Sequence, residues 1–206
     1  MKRIYCFYAA CLLAAAATGI YVARKYELPP EIQPSRVKGP LDAPIVIDEY
    51  TDLQCPACRV GNEEMNRLFS AYGRHIRLTF RHSPLPEHKW AVAAAGAAEC
   101  AGWQNKFFQY ADMLYQNQDE WSKSADEPAQ FDAYAVSLGI NRDVFSLCMR
   151  DPSVRQAVEA EARYAAEHGI DVTPTFIVNG KPVRGARELA QAAAGFEALI
   201  RRREGL

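Results

Sequence analysis

Two cysteines three residues apart, at the junction of a predicted strand and a predicted helix, constrain this chain more than any other feature. The motif is Cys55-Pro56-Ala57-Cys58, and it follows an apolar run at residues 45–50. Proline is common at the first position of a helix, because the N–H that it lacks would have no partner there. The motif therefore predicts a helix that begins directly after Cys55, with the sulfur of that residue over the unpaired N–H groups of the first turn.

Such a position favours redox chemistry. Unpaired N–H groups and the helix dipole stabilise a thiolate, so Cys55 is predicted to have a lowered pKa and to be the attacking sulfur. Cys58, one turn further on, would resolve a mixed disulfide. A static disulfide or half of a zinc site is the alternative. The sequence offers no second pair of ligands at zinc spacing, so we expect no metal and no cofactor beyond the redox-active disulfide.

A second segment, far along the chain, combines a proline with a hairpin. Residues 175–178 are β-branched or aromatic, and Asn179-Gly180 is typical of a type I′ turn. Pro174 stands just before this strand, where a cis bond to Thr173 is tolerated. Alone, Pro174 would be an ordinary proline at the entry to a strand.

Together the two segments resemble the thioredoxin superfamily, in which a cis-proline loop lies beside the C-x-x-C motif and binds extended substrate. Here Pro174 lies 119 positions after Cys55, far more than in thioredoxin itself, and the excess is predicted to be helical. A thioredoxin fold with a helical insertion is similar to the DsbA-like family of extracytoplasmic disulfide oxidoreductases. Further segments also fit that family; they lie at residues 49–54, 80–85, 98–101 and 106–108.

The resemblance, over about residues 38 to 203, implies an α/β thioredoxin-like fold with an inserted α-helical domain at about 87–168. It also implies a protein disulfide oxidoreductase that contacts substrate through Pro56, Ala57, Thr173 and Pro174. The sequence pattern itself predicts the elements that surround the insertion. These are strand 45–50, helix 56–72, strand 75–81, strands 175–178 and 181–184, and one long helix at 187–203.

Glu49 is a third candidate catalytic residue. It lies six residues before Cys55, where the DsbA-like family has an acidic residue beneath the active site. Strand alternation places it on the opposite face from Asp48. A partly buried carboxylate there would have a raised pKa and could accept the proton of Cys58. The alternative is a solvated acid at a strand end, since Asp48 and Asp52 are neighbours.

The two remaining cysteines of the folded part, Cys100 and Cys148, fall on predicted helices of the insertion. In an oxidising compartment such a pair tends to form a disulfide. Some DsbA-like proteins have a second disulfide in the helical domain, and these positions look similar. Two separate buried thiols are the alternative.

The N-terminus indicates export. Residues 1–25 are read as an anchor or signal segment, because residues 4–23 are uncharged and long enough to span a bilayer. A cleaved signal peptide is the alternative. Residues 26–40 are predicted to be a proline-rich tether, and 41–206 a single domain. The first 25 residues hold four of the 24 basic residues and none of the 25 acidic ones, so the domain is mildly acidic. This charge argues against nucleic acid as a partner.

The leading hypothesis is a membrane-tethered thiol oxidase on the periplasmic or cell-surface side. It would donate the Cys55–Cys58 disulfide to reduced exported polypeptides and be reoxidised by a membrane redox partner. A reductase or isomerase is the enzymatic alternative, because Thr173 precedes Pro174 as it often does in isomerases. Residues 26–40 are too short to form a dimerisation domain, so we expect a monomer. A tethered chaperone or metal-handling module is the non-enzymatic alternative.

Overall fold

The structure of the chain, a computed structural model, describes residues 33–126 and 128–205. The predicted anchor or signal segment at 1–25 lies outside these residues. No helix within the two described ranges combines the length and apolarity needed to cross a bilayer.

A five-stranded sheet forms the centre of the fold, in the order β1-β3-β2-β4-β5. β2 and β3 are parallel, and the other neighbouring strands are antiparallel. Side chains of β2 and β3 alternate between buried and half-buried, as strand geometry requires. The strands are β1 Val37–Lys38, β2 Ile45–Thr51, β3 Ile76–His82, β4 Thr175–Val178 and β5 Lys181–Arg184.

Helices cover the sheet and form the insertion between β3 and β4. Helix α1 connects the two parallel strands, helices α2 to α7 belong to the insertion, and α8 and α9 follow β5. Their bounds are α1 Pro56–Tyr72, α2 Ala91–Gly102, α3 Phe107–Gln116, α4 Gln118–Trp121, α5 Gln130–Ser137, α6 Arg142–Met149, α7 Pro152–Glu167, α8 Gly185–Ala193 and α9 Phe196–Glu204. The predicted thioredoxin-like fold with a helical insertion is thus confirmed.

Two apolar clusters make up the core. One lies between the sheet and helices α1, α8 and α9, and includes Ile47, Leu68 and Phe196. The other fills the insertion and extends to Cys55 and Cys58. The dithiol therefore packs against the insertion rather than against the centre of the sheet.

Two predictions about the ends of the domain need correction. The single helix expected at 187–203 is two helices, because the chain turns at Gly195, a poor helix former, and Phe196 then packs into the core. Part of the expected tether at 26–40 belongs to the fold. Val37 pairs with Thr79 in the sheet. The buried Arg36 side chain forms ion pairs with Glu99 and Glu161 of the insertion.

The hairpin of β4 and β5 has the predicted features. Asn179 and Gly180 both have positive φ angles, 47° and 81°, as a type I′ turn requires. Pro182 lies in β5, an edge strand of the described sheet, where a missing N–H costs no ladder hydrogen bond. The hairpin also positions Pro174, because the N–H of Gly185 donates to its carbonyl oxygen at 2.9 Å.

Candidate active site

The two cysteines of the motif occupy the turn between β2 and α1. Cys55 is the N-cap residue of α1, with extended backbone angles, and its carbonyl accepts hydrogen bonds from the N–H groups of Cys58 and Arg59. Both cysteines are free thiols; Cys55 is 7% exposed and Cys58 is fully buried. Pro56 and Ala57, which separate them, are exposed. Only the first sulfur can therefore be reached from solvent.

The surroundings of the two sulfurs separate their pKa values. The hydrogen bond from the Cys58 thiol, helped by backbone N–H groups of Cys58 and Ala57, lowers the pKa of Cys55 to about 6 against the opposing effect of burial. Burial raises the pKa of Cys58, and its contact with Cys55 raises it further. Cys55 is thus a thiolate at neutral pH and Cys58 a thiol, which are the states of an attacking and a resolving sulfur.

The loop before β4 faces the dithiol. The Thr173–Pro174 peptide bond is cis, and the carbonyl oxygen of Thr173 lies 3.7 Å from the Cys55 sulfur. The Thr173 hydroxyl is buried and makes no hydrogen bond of ordinary geometry among the described residues, but it is close enough to both sulfurs to lower their pKa values. All four residues for which the resemblance implied substrate contact therefore lie around Cys55.

Gly61, which was not predicted as a site residue, allows this loop to approach α1. A Cβ atom at Gly61 would lie 3.0 Å from the ring of Pro174 and 3.3 Å from that of Phe176. A larger residue would push the loop away from the dithiol. A glycine on the first two turns of an amphipathic helix was the available signal, since glycine inside a helix is costly without a packing reason.

Glu49 lies on the buried face of β2, two residues before Thr51. Its carboxyl group is 1% exposed, and one of its oxygens has no hydrogen-bond partner among the described residues. Burial raises the pKa of Glu49 to about 8; the Thr51 hydroxyl opposes this shift, and the charge of Asp112 adds to it. A cavity of about 10 Å³, room for one water molecule, separates Glu49 from Asp112 and Lys38.

Asp52 is a buried neighbour of Cys58 that was not predicted as a site residue. Both oxygens of its carboxylate have hydrogen-bond partners. Its carboxylate accepts two backbone N–H bonds, at 2.7 and 2.8 Å, and contacts the His88 ring at 2.6 Å. The backbone N–H of Asp52 points at the Cys58 sulfur, 3.4 Å away. Of the two buried acids near the dithiol, Glu49 is the one with a free oxygen.

The insertion holds the active-site turn through Gln118. Its side-chain amide donates to the carbonyl oxygens of Leu53 and Cys55, at 2.8 and 3.0 Å. Gln118 belongs to α4 and lies 63 residues from Cys55 in sequence. No local pattern predicts such a contact, because only the packing of the insertion against β2 creates it.

The other two cysteines of the described residues form a disulfide within the insertion. Cys100 on α2 and Cys148 on α6 are joined with their Cα atoms 5.6 Å apart, and both are fully buried. The bridge closes a loop of 48 residues. Because a closed loop restricts the unfolded chain, a bridge of this length stabilises the folded protein by about 4 kcal/mol on the chain-entropy model. It is separate from the two free cysteines of the active site.

Metal ions in proteins are held by clusters of side chains such as His, Cys, Asp and Glu. Within residues 33–126 and 128–205, no group of three or more His, Cys, Asp or Glu side chains is placed to hold a metal ion. His82 and His88 instead contact carboxylates, those of Glu99 and Asp52.

A thioredoxin fold that carries a reactive dithiol at the start of its first helix, beside a cis-proline loop, defines a protein disulfide oxidoreductase. The chain belongs to the thioredoxin family: the family model Thioredoxin_4, described as thioredoxin, matches residues 31–200.

Solved structures share the fold, including the helical insertion. Alpha-DsbA1 from Wolbachia pipientis superposes with a TM-score of 0.71 at 21% identity, over 86% of this chain and 95% of that one. Oxidised BdbD from Bacillus subtilis gives a TM-score of 0.70 at 22% identity, over 84% and 96%. The predicted DsbA-like fold is confirmed by these likenesses.

Curated relatives at higher identity are longer proteins. The Na(+)/H(+) antiporter NhaA of Herminiimonas arsenicoxydans is 31% identical over 176 residues, which cover 84% of this chain and 27% of that protein. NhaA 1 of Salinispora arenicola is 34% identical over 168 residues, 79% of this chain and 24% of that protein. The chain spans about a quarter of the length of the curated relatives it matches, so the similarity concerns one shared domain.

Proposed function

We propose that the chain is a thiol oxidase that donates its Cys55–Cys58 disulfide to reduced, exported polypeptides. A substrate thiolate attacks the Cys55 sulfur and displaces Cys58, which takes up a proton. A second substrate thiolate then attacks the substrate sulfur of the mixed disulfide and releases Cys55 as a thiolate. The substrate gains a disulfide and loses two electrons, and the Cys55–Cys58 pair gains them.

The lowered pKa of Cys55 is the observation that carries this direction. A thiolate stabilised in the reduced protein makes reduction of the Cys55–Cys58 disulfide favourable, so the disulfide is strongly oxidising. It also makes Cys55 a good leaving group in the release step. The same group can act as a nucleophile when a redox partner regenerates the disulfide.

The substrate would bind along the loop before β4. An extended peptide can pair with the exposed edge at Thr173, as in strand addition, and so bring its sulfur to Cys55. Val60 on α1 and Val172 beside Thr173 are 49% and 44% exposed, and supply apolar surface close to the loop. These features suit an unfolded polypeptide better than a small thiol.

An extracytoplasmic location and a membrane redox partner belong to the same proposal. A buried Cys100–Cys148 disulfide outside the active site suits an oxidising compartment, and the uncharged residues 4–23 suit an anchor or a signal segment. After each turnover the reduced dithiol would pass its two electrons to a membrane-bound oxidant. The domain needs no nucleic acid and no metal for this cycle.

Thr173 supports a second candidate function, reduction or isomerisation of disulfides. Its unpartnered hydroxyl lies beside both sulfurs, where it can change the relative stability of the reduced and oxidised states. Electron flow would then run from Cys55 and Cys58 to the substrate. The two functions predict opposite products with the same client.

A direct test mixes the oxidised full-length chain with a reduced, unfolded client that contains two cysteines. We expect one client disulfide per dithiol, no reaction with Cys55→Ala, and a trapped mixed disulfide with Cys58→Ala. The double variant Cys100→Ala, Cys148→Ala, which removes a cysteine pair away from the site, should still oxidise the client. A chain that leaves the client reduced, yet reduces the disulfide of an oxidised client, would favour the second candidate.

The thiolate itself gives an independent test. Because the folded pKa of Cys55 lies below that of a free thiol, thiolate absorbance of the reduced protein should persist at pH 7 and disappear as the pH falls through about 6. Cys55→Ser should abolish this transition and Cys58→Ser should retain one. A midpoint near the ordinary cysteine value of about 8.5 would remove the basis for an oxidase.

A further inference from the structure

Thr51, a buried hydroxyl, lies near both the resolving cysteine and the buried acid. Glu49 and Thr51 are two residues apart on β2, so both side chains point to the same buried face. The Cys58 sulfur lies 3.4 Å from the backbone nitrogen of Asp52, the residue directly after Thr51. The Thr51 hydroxyl is also close enough to the Glu49 carboxyl group and to the Cys58 sulfur to lower the pKa of each. All three side chains are almost completely buried, at 1%, 1% and 0% exposure. Thr51 therefore adjoins both the resolving cysteine and the buried acid.

Tyr115 of α3 fixes the position of this hydroxyl. Its phenolic oxygen lies 2.8 Å from the Thr51 oxygen, and it is as buried as Thr51. Burial raises the pKa of Tyr115 well above its usual range, so the phenol keeps its proton and can donate to Thr51. A threonine oxygen that accepts from Tyr115 still has its own proton to donate. The hydroxyl can then accept one proton while it gives up another.

We propose that Thr51 is a positioning residue whose hydroxyl relays the proton between Cys58 and Glu49, with Tyr115 orienting it. In the oxidase direction the bond between the sulfurs breaks, the Thr51 proton moves to the Cys58 thiolate, and the Glu49 carboxyl proton moves to Thr51. In reoxidation the Cys58 proton moves to Thr51, the Thr51 proton moves to the Glu49 carboxylate, and Cys58 attacks the Cys55 mixed disulfide. The relay rests on the proposed exchange at Cys55–Cys58.

The other acid near Cys58 does not offer an equal route. Asp52 already accepts two backbone N–H bonds and contacts His88, so its oxygens are engaged. Asp52 contacts the Cys58 sulfur through its backbone N–H. A backbone N–H does not pass a proton on to the side-chain carboxylate. Glu49, with an unpartnered oxygen and Thr51 beside it, is the acid that can take or supply the proton.

The test uses reduced full-length protein and an aromatic disulfide, dithiobis-nitrobenzoate, in a stopped-flow instrument. Cys55 attacks first and releases one coloured thionitrobenzoate; Cys58 then attacks Cys55 and releases the second. In Thr51→Val the first phase should be unchanged and the second about 10- to 100-fold slower, since positioned proton transfer contributes factors of this order or more. Thr51→Ser, which keeps a hydroxyl, should remain within about threefold of the wild type.

Two further variants make the result specific. Thr79→Val repeats the substitution on the neighbouring strand β3, at a half-buried position, and should leave both phases unchanged. The double variant Glu49→Gln, Thr51→Val should be no slower than the slower single variant, because groups in one relay act in series. Thr51→Ala replaces Thr51→Val if the latter does not fold.

Three outcomes would overturn the relay. They are a wild-type second phase in Thr51→Val, an equal loss in Thr51→Ser, or multiplied losses in the double variant. Each of these is independent of the direction of electron flow, because both phases occur in an oxidase and in a reductase alike. A failure of the relay can therefore be told apart from a failure of the client-oxidation test.

Discussion

Two regions of this chain bury carboxylates, and they treat them in opposite ways. On the buried face of β2, Glu49 has no cationic partner within hydrogen-bonding distance among the described residues, and its pKa is raised to about 8. At the junction of β3 with the insertion, Glu99 and Glu161 both contact the Arg36 guanidinium, at 2.9 and 2.5 Å. The His82 ring adds a contact to Glu99 at 2.8 Å. At neutral pH the Glu49 carboxyl group therefore keeps its proton, whereas Glu99 is ionised.

The difference separates a group that can exchange protons from groups that hold the fold together. Burial opposes ionisation of Glu99, but its hydrogen bond to His82 and the charge of Arg36 outweigh burial and lower its pKa. A carboxylate held in this way has no reason to give up its charge. Glu49, lacking such partners, changes its protonation near physiological pH, as a proton acceptor or donor for Cys58 must.

The largest effect on stability should come from Arg36. Arg36→Met removes the nearest guanidinium from two buried carboxylates, and breaking a buried ion pair by removing one partner typically costs about 3–5 kcal/mol. Urea unfolding at pH 7 measures this loss. Arg59→Met is the matched control, since its pair with Asp119 is largely solvated and should contribute little to stability. Equal losses in the two variants would mean that the buried Arg36 ion pairs stabilise the fold no more than a solvated pair does.

Glu49→Gln should stabilise the protein, in contrast to Arg36→Met. Because the folded pKa lies above that of the unfolded chain, stability is complete below about pH 4 and is lost as the pH rises toward 8. At pH 7 the free energy of unfolding should rise by about 3 kcal/mol in Glu49→Gln, with no difference at pH 4. Urea unfolding at both pH values measures the change. Destabilisation at pH 7 would mean that the Glu49 carboxylate is paired.

Glu99→Gln should show the reverse pH dependence, with a smaller magnitude. The folded pKa of Glu99 is lowered, so its contribution is present above the pKa of an unfolded glutamate, about 4.3, and lost as the pH falls further. We expect a loss of about 1.5–3 kcal/mol at pH 7, the range for hydrogen bonds to charged groups. Unfolding of both proteins between pH 3 and 7 tests this. A loss that stays constant across that range would contradict the assigned charge state.

Local patterns predicted the parts of the fold that carry the dithiol. The bounds of α1, β4 and β5 follow from Pro56, from a short β-branched run and from Asn179-Gly180, each of which acts over a few residues. Glu49 could be proposed because strand alternation sets its face. These features lie in contiguous stretches of sequence, where periodicity and turn chemistry are informative.

What could not be predicted depends on contacts between distant segments. Arg36 meets Glu161 across 125 residues, Tyr115 meets Thr51 across 64, and Gln118 meets Cys55 across 63. The two-residue strand β1 is too short for a pattern and exists only through its pairing with β3. For the same reason the tether was expected to extend to residue 40. Only the packing of the insertion against the sheet brings these partners together.

The reduction potential of the Cys55–Cys58 disulfide distinguishes a thiol oxidase from a disulfide reductase. Equilibration of the full chain with glutathione buffers at pH 7, with the two states separated after alkylation, gives this value. The stabilised Cys55 thiolate predicts a potential between about −120 and −180 mV, in the range of strong oxidants and of disulfide isomerases. A value near −270 mV, that of thioredoxin, would contradict the account and assign the dithiol to reduction.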